Sequence, residues 1–551
     1  MTNFTTRNTF LIPSFDLDYK EREKMDRFLY ILEKSDVSKL FTNNCFDSRG
    51  GRPAYSDYDL FATILYGFAF NKPTLRDLED ACKYDLRYIY LMQQSRPKHS
   101  IFGNFINEII TPNREYIFHS ITKTIINECG VKIEDVFIDG SKFEADANKY
   151  KFVYKPTKNH LKLSDKIRAL LSELNIADNV PQKEIIESKL IAQKVTYLSH
   201  MLENDKSLKS KYDKLCEYLT KALEYEEKER ICGPNRNSYY KTDYDATAMT
   251  LKEDYYSGLG SNMHAGYNSQ LLVAKGIICT YYVSQSRNDI NDFIPTLKRF
   301  YDFYGYYPKR VCADAGYGSL ANYDFLNSHK IENYVKHQSF EGNVAGNNPD
   351  RYYLNDDGTI TCLNNLTGIK VDLPNRHPQT AGSLYYKVKG CKNCLFNKYC
   401  KKYMKRKSDN FRIFEVNEKF TFYKQEAFNN LLTPKGIEMR VNRSSQVEGT
   451  FGVVKQDMGY TRLRRTSMEK VDTEFMLTYL GYNIRKLFRY LEGKAKFTYW
   501  VAPPNLKPEK KRKPSAKILS KKATKNKNKS ANQIAKESYK HKRKKGLSPL
   551  V

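Results

Sequence analysis

Apolar residues recur at helical spacing early in the chain. Leu60, Ile64, Leu65 and Phe68 share one helical face, and Thr74 with Asp77 three residues on predicts a capped helix from Leu75 through Leu91. Ser100 predicts a further helix to Ile110, with Pro112 stopping it. Short helices broken by tight turns fit either a helix-turn-helix DNA reader or a plain helical bundle used for dimerisation. The texture changes at Val131. Val136-Phe137-Ile138 reads as a buried strand with Asp139-Gly140 at its C-terminal end, although Asp-Gly is also a hairpin signal. Residues 157 to 231 are rich in Lys, Glu and Leu, and Leu208, Tyr212, Leu215 and Leu219 predict a long helix or helical hairpin, a solvated arm without chemistry.

Strands return over Tyr267 to Val283, interrupted at Gly276, and Phe293, Leu297 and Phe300 put a helix over 289–303. Arg310-Val311-Cys312-Ala313 reads as a second short strand closed by Asp314, followed by a helix (Asn322 to Ser328) and a strand (Glu332 to His337). This alternation predicts an α/β core. From Glu438 to Tyr490 the pattern is helical again.

Charge narrows the class of partner. The chain has 92 Lys+Arg against 63 Asp+Glu, a formal net charge of +29. Residues 506 to 551 hold 17 Lys+Arg and two acids, with too few apolar residues to fold, so a basic, disordered tail is expected there. Such an excess points to a polyanion, most often nucleic acid. The longest apolar stretch, Leu60 to Phe70, is too short to span a membrane. The N-terminus lacks a secretory design, and eleven cysteines without disulfide rhythm suit a reducing cytoplasm.

Asp139 and Asp314 each close an apolar run, and Glu448 lies in Ser445-Gln446-Val447-Glu448-Gly449-Thr450-Phe451-Gly452. Three hard oxygen ligands without a histidine suit Mg²⁺, and two such ions can serve phosphoryl transfer. Lys455 follows Glu448 by two helical turns and is a candidate phosphate holder. Each acid taken alone also reads as an ordinary turn, strand end or surface group. Cys391-x2-Cys394-x5-Cys400 with Cys362 upstream offers four thiolates for a structural Zn²⁺, or an incidental reduced set. Cys45, Cys82, Cys129, Cys216, Cys279 and Cys312 read as buried packing residues, and His99, His119 and His264 show no ligand spacing. Most of the 43 tyrosines are expected in cores, some as stacking surfaces for bases.

Taken together, Val136 to Ala145, Ala313 to Ser319 with Asn322-Tyr323, Gln446 to Lys455 and Tyr482-Asn483 resemble the motifs of bacterial insertion-sequence DDE transposases. Arg52-Pro53 through Ile106 is similar to their InsH-type N-terminal domain. The resemblance implies a ribonuclease-H-like core with Asp139, Asp314 and Glu448 holding Mg²⁺ or Mn²⁺. It implies cleavage at element ends and strand transfer into double-stranded target DNA, by a homodimer or higher oligomer in the bacterial cytoplasm. The rival is a catalytically inactive DNA-binding derivative. The implied organisation is a helical N-terminal DNA-binding domain (1–130), the first core strand (131–150) and a helical insertion (151–262). The core then resumes (263–340), is interrupted by a cysteine-containing insertion (341–435), and ends in the glutamate helix and its successors (436–495), with the tail from 505. Related transposases often place arginine four residues before the glutamate. Here that position is Ser444, and Arg443 beside it is the candidate DNA contact. Thr242 to Thr247 and Lys252-Glu253-Asp254 look like family segments but are assigned no catalytic role.

Overall fold

The computed structural model describes residues 17–41, 55–251, 263–344, 352–355, 357–373, 382–400, 409–494 and 497–509. Lys252-Glu253-Asp254, Cys45, Arg52-Pro53 and most of the basic tail lie outside the described residues. The chain divides into two compact units, residues 1–307 with 444–499, and residues 308–443 with 500–551.

Helices open the first unit: α1 (Tyr19–Lys34), α2 (Asp57–Ala69), α3 (Leu75–Tyr84), α4 (Leu86–Leu91), α5 (His99–Phe105) and α6 (Thr111–Glu128). The helical face read from Leu60, Ile64, Leu65 and Phe68 is buried, as is nearly all of α2. Thr74 caps α3 by accepting from the Asp77 backbone N–H. The single helix expected through Leu91 is two helices, because Asp85 accepts from Arg87 N–H and restarts the chain. Pro112 does not stop its helix either. A π turn over Ile106–Ile110 leads into α6, where Pro112 occupies the first turn. Thr111 Oγ1 donates to Ile106 O and Asn113 Nδ2 to Ile109 O (both 2.8 Å), satisfying carbonyls near the break.

Next come β1 (Asp135–Glu144) and β2 (Phe152–Tyr154), then α7 (Thr157–Glu173), α8 (Ser188–Asn204) and α9 (Lys209–Cys232). The segment expected as a long helix or hairpin is thus three helices. They enclose a core of their own that includes Ile167, Leu171, Ile191, Leu198 and Leu215. Strands β3 (Ser238–Tyr240), β4 (Thr247–Thr250), β5 (Met263–Ala274) and β6 (Ile277–Ser284) follow, then α10 (Phe293–Tyr304). β5 pairs antiparallel with β1 along one edge, and with β4 and then β6 along the other. Phe293, Leu297 and Phe300 are buried on α10 as the spacing predicts.

In the second unit β7 (Arg310–Ala313) and β8 (Glu332–Val335) pair in parallel, joined through α11 (Leu320–Ser328). A separate antiparallel sheet has the order β13 (Phe411–Val416), β12 (Leu384–Lys389), β11 (Thr367–Val371), β10 (Ile360–Cys362) and β9 (Tyr352–Leu354). Helices α12 (Glu418–Leu432) and α13 (Pro434–Arg443) follow, and α14 (Met468–Leu491) returns to the first unit. The whole is a mixed α/β protein. Among the described residues no helix is long and apolar enough to cross a membrane.

Candidate active site

Asp139 sits in the middle of β1, not at its end. The strand continues because Phe137 to Glu144 stay in register with Val273 to Gly266 of β5, so the Asp-Gly pair forms no hairpin. Val136–Ile138 are buried and Asp139 is half-buried, its Oδ1 accepting from the Gly140 N–H at 2.9 Å. A Cβ on Gly140 would lie 2.5 Å from Gln270 Nε2 and 2.7 Å from Asp289 Oδ1. Glycine there admits a polar cluster against the strand. Asn268 Nδ2 (2.7 Å) and Gln270 Nε2 (2.9 Å) both donate to Asp289 Oδ1, and Ser284 Oγ donates to Asp292 at 2.6 Å. Burial, then the charge of Asp289, pushes the Asp292 carboxyl up to about 7.

Glu448 belongs to the same unit. Beyond Arg443 the chain winds through a π turn (Ser444–Glu448), one α turn (Gly449–Gly452) and a second π turn (Val453–Asp457). The first π turn packs against β1 and β5, which brings the segment of Glu448 onto the strand of Asp139. Glu448 is exposed, and Ser444 Oγ donates to its Oε2 at 2.8 Å. Ser444, four residues before Glu448, therefore supplies a neutral donor.

Three buried polar side chains link this segment to the Lys275-Gly276 turn between β5 and β6, and a fourth ties α14 to β6. Gln446 Oε1 accepts from Gly276 N–H (3.1 Å), and Tyr482 OH donates to Gly276 O (3.2 Å) while pairing with Thr450 Oγ1 (3.0 Å). Asn483 accepts from Ile278 N–H and donates to Ile278 O, both at 2.9 Å. Tyr482-Asn483, quoted above only as a motif, thus has a positioning role that a sequence cannot display.

Lys455 lies within the second π turn, seven residues after Glu448. Its Nζ donates to Lys142 O of β1 at 2.8 Å and lies 4.4 Å from the Phe143 ring centroid. Sequence reasoning missed the loop after this helix. There the backbone N–H groups of Arg464 and Arg465 donate to the buried Glu474 carboxylate at 3.0–3.1 Å, and Tyr460 OH bonds the same group. Arg462 reaches Asp146 at 3.0 Å. One loop so presents Arg462, Arg464 and Arg465 near the end of β1, which Arg462 joins by a bridge at Glu144.

Asp314 lies in the second unit. It follows β7 directly, as expected, and its side chain caps a short 3₁₀ turn by accepting from Gly316 N–H at 2.8 Å. Ser319 then caps α11. Arg443, at the end of α13, is half-buried in the same unit. Among the described residues no group of three or more His, Cys, Asp or Glu side chains stands close enough to hold a metal ion.

Cys362, Cys391, Cys394 and Cys400 nonetheless line one small cavity in the second unit, with Arg412 Nη1 2.7 Å from Cys400 Sγ. Burial and then the neighbouring Cys362 and Cys400 push the Cys394 thiol up. Elsewhere Cys82, Cys129, Cys279 and Cys312 are buried as expected, whereas Cys216 is only half-buried. Asp243 and Asp245 are structural: Asp243 accepts from Tyr267 OH (2.8 Å) and Asp245 from Met468 N–H (2.8 Å) at the start of α14.

Two protein families match the chain. Residues 16–108 match a transposase domain (DUF772), and residues 364–488 match a transposase DDE domain. The second match takes in Glu448, Lys455, Tyr482-Asn483 and three of the four clustered cysteines, and leaves Asp139 and Asp314 outside. No curated protein and no solved structure matches.

Proposed function

Its two transposase domains mark the chain as an insertion-sequence DDE transposase, and we propose that it cuts DNA at the ends of its element and joins them to target DNA. The observation that carries this reading is the placement of Glu448. It falls within the matched DDE domain, on a turn packed against the strand that bears Asp139. A ribonuclease-H-like core would draw its antiparallel half from β6, β5 and β1 and its parallel half from β7 and β8. Asp139, Asp314 and Glu448 are the residues that would hold Mg²⁺ or Mn²⁺. Their hard carboxylate oxygens suit such ions, which supply activation of the attacking water or hydroxyl and charge stabilisation at the phosphate.

Around them the chain's own groups orient and bind. Ser444 fixes one Glu448 oxygen, and the Gln446, Thr450 and Tyr482 contacts hold the turn that carries it. The arginine loop offers cations for backbone phosphates, which position a duplex without reading it. Arg443 is proposed as a further phosphate contact. The N-terminal helices would supply the DNA-binding domain, and the chain would work as a homodimer or higher oligomer on DNA.

Neutralising Asp139, Asp314 or Glu448 should abolish Mg²⁺-dependent nicking of end-containing DNA while leaving end binding intact. Asp314→Asn is the cheapest case. Substantial nicking by that variant would sink the assignment, and a wild-type protein that binds ends but never nicks would be the inactive derivative. For the cysteines we propose a structural Zn²⁺, supported by Cys391, Cys394 and Cys400 of one segment and Cys362 of β10 around one cavity. A dication would relieve the mutual repulsion of the thiolates and close their spacing. Elemental analysis of protein prepared without chelator should find about one zinc per chain; none would leave an incidental set.

A further inference from the structure

Strand β2 leaves a cluster of aromatic side chains in solvent. Tyr150, Phe152 and Tyr154 are 80%, 46% and 52% exposed. Tyrosines elsewhere divide: Tyr88, Tyr267, Tyr281, Tyr317, Tyr323 and Tyr479 are fully buried, whereas Tyr19, Tyr84, Tyr197 and Tyr244 are exposed. Among the described residues β2 pairs with β3 alone, in a two-stranded sheet. Single exposed aromatics are ordinary, whereas a group of three on one short segment marks a contact surface.

The cluster is ordered. Asn148 Oδ1 accepts from Tyr150 N–H at 2.9 Å, and Thr242 Oγ1 accepts from Asn148 N–H at 2.9 Å. The Phe152 and Tyr154 rings meet edge to face, 5.2 Å between centroids, and Lys241 N–H donates to Lys151 O at 2.9 Å. The segment 147–158 carries Lys149, Lys151, Lys155 and Lys158 and no acid. Lysines along a short strand discourage strand-to-strand aggregation and need no further role. They do not account for the aromatic rings between them.

We infer that β2 is a stacking platform for unpaired bases of a DNA strand. Every base has a π face that stacks on Tyr or Phe whatever its identity, and ammonium groups interleaved with the rings neutralise the phosphates between successive bases. A fully paired duplex keeps those faces covered, so the chemistry fits a frayed or single-stranded end better than its interior. The location agrees. β2 follows β1, the strand of Asp139, after seven residues, and Arg462 of the arginine loop meets Asp146 between the two strands at 3.0 Å. This inference rests on the DNA-cutting reading, since it places the platform next to the strand that carries a catalytic acid.

The test uses full-length protein and two end-containing duplexes, one blunt and one carrying a short single-stranded tail with 2-aminopurine in it. Wild type should bind the tailed DNA more tightly and quench the 2-aminopurine. Tyr150→Leu, Phe152→Leu and Tyr154→Leu should each weaken tailed binding by about fivefold to a hundredfold, the span of one lost base stack. Their blunt-end affinity should not change, which also shows that they fold. Tyr150→Phe and Phe152→Tyr should retain wild-type behaviour. Equal losses on both DNAs, or no loss on the tailed one, would overturn the platform while leaving end binding standing. Failure of wild type to bind either DNA would instead overturn the transposase reading on which the platform rests.

Discussion

Asp292 holds its proton into the neutral range because burial opposes its charge and Asp289 lies nearby. An unfolded chain would have lost that proton near the ordinary carboxyl value of about 3.9. Between about pH 4 and pH 7 the native state therefore binds more protons than the unfolded one, and the contribution of Asp292 to stability falls as pH rises. Asp292→Asn keeps an acceptor for Ser284 Oγ and removes the titration. Urea unfolding at pH 4.5 and 7.5 should show the variant gaining on wild type at the higher pH, by an amount on the order of a few kcal/mol. A gap independent of pH would assign the cost to something other than this carboxyl. At this scale the sequence displayed the acids but not their company. Asp139 is legible from Val136-Phe137-Ile138 before it, whereas Gln270 and Asp289 meet at Gly140, joined by Asn268 and Asp292 through side-chain hydrogen bonds that no local pattern encodes.

Helix α14 shows what an element owes to its neighbours. β6 pairs with β5 on one side, and at Ile278 the Asn483 side chain takes the place of a further strand, matching both the N–H and the C=O. Asn483→Leu would leave two buried backbone groups unpaired, each worth about 1–3 kcal/mol. The urea midpoint should fall by the equivalent of about 2–6 kcal/mol; a loss under 1 kcal/mol would mean that other groups satisfy Ile278. Helical periodicity foretold α2 and α10 well, because each buries a regular face. It failed at Pro112, where a π turn leads into the next helix and Thr111 and Asn113 side chains make the break tolerable. It failed also over 157–231, where Lys- and Glu-rich surfaces conceal three helices with a shared core.

The largest scale is the least legible. The strand-helix alternation gave the α/β class, but nothing in it shows that the chain leaves its first unit after Tyr307 and returns at Ser444, so that Asp314 and Glu448 belong to different units. Charge, by contrast, needs no fold to be read. Of the formal +29, residues 506–551 contribute 17 Lys+Arg against two acids, so little of that charge is cancelled locally. Such a run binds DNA by releasing condensed counterions, a term blind to sequence. Each phosphate neutralised adds a slope of about −0.9 to log affinity against log salt. Truncation after Asn505 should therefore lower affinity for end-containing and random duplexes alike and flatten the salt dependence of both. Preference for the element's ends should survive, because that preference is assigned to the N-terminal helices. Salt titrations of both proteins on both duplexes decide the matter: equal slopes would make the tail a solubilising segment without DNA contact. Loss of end preference would move specificity out of the helical domain and into the tail.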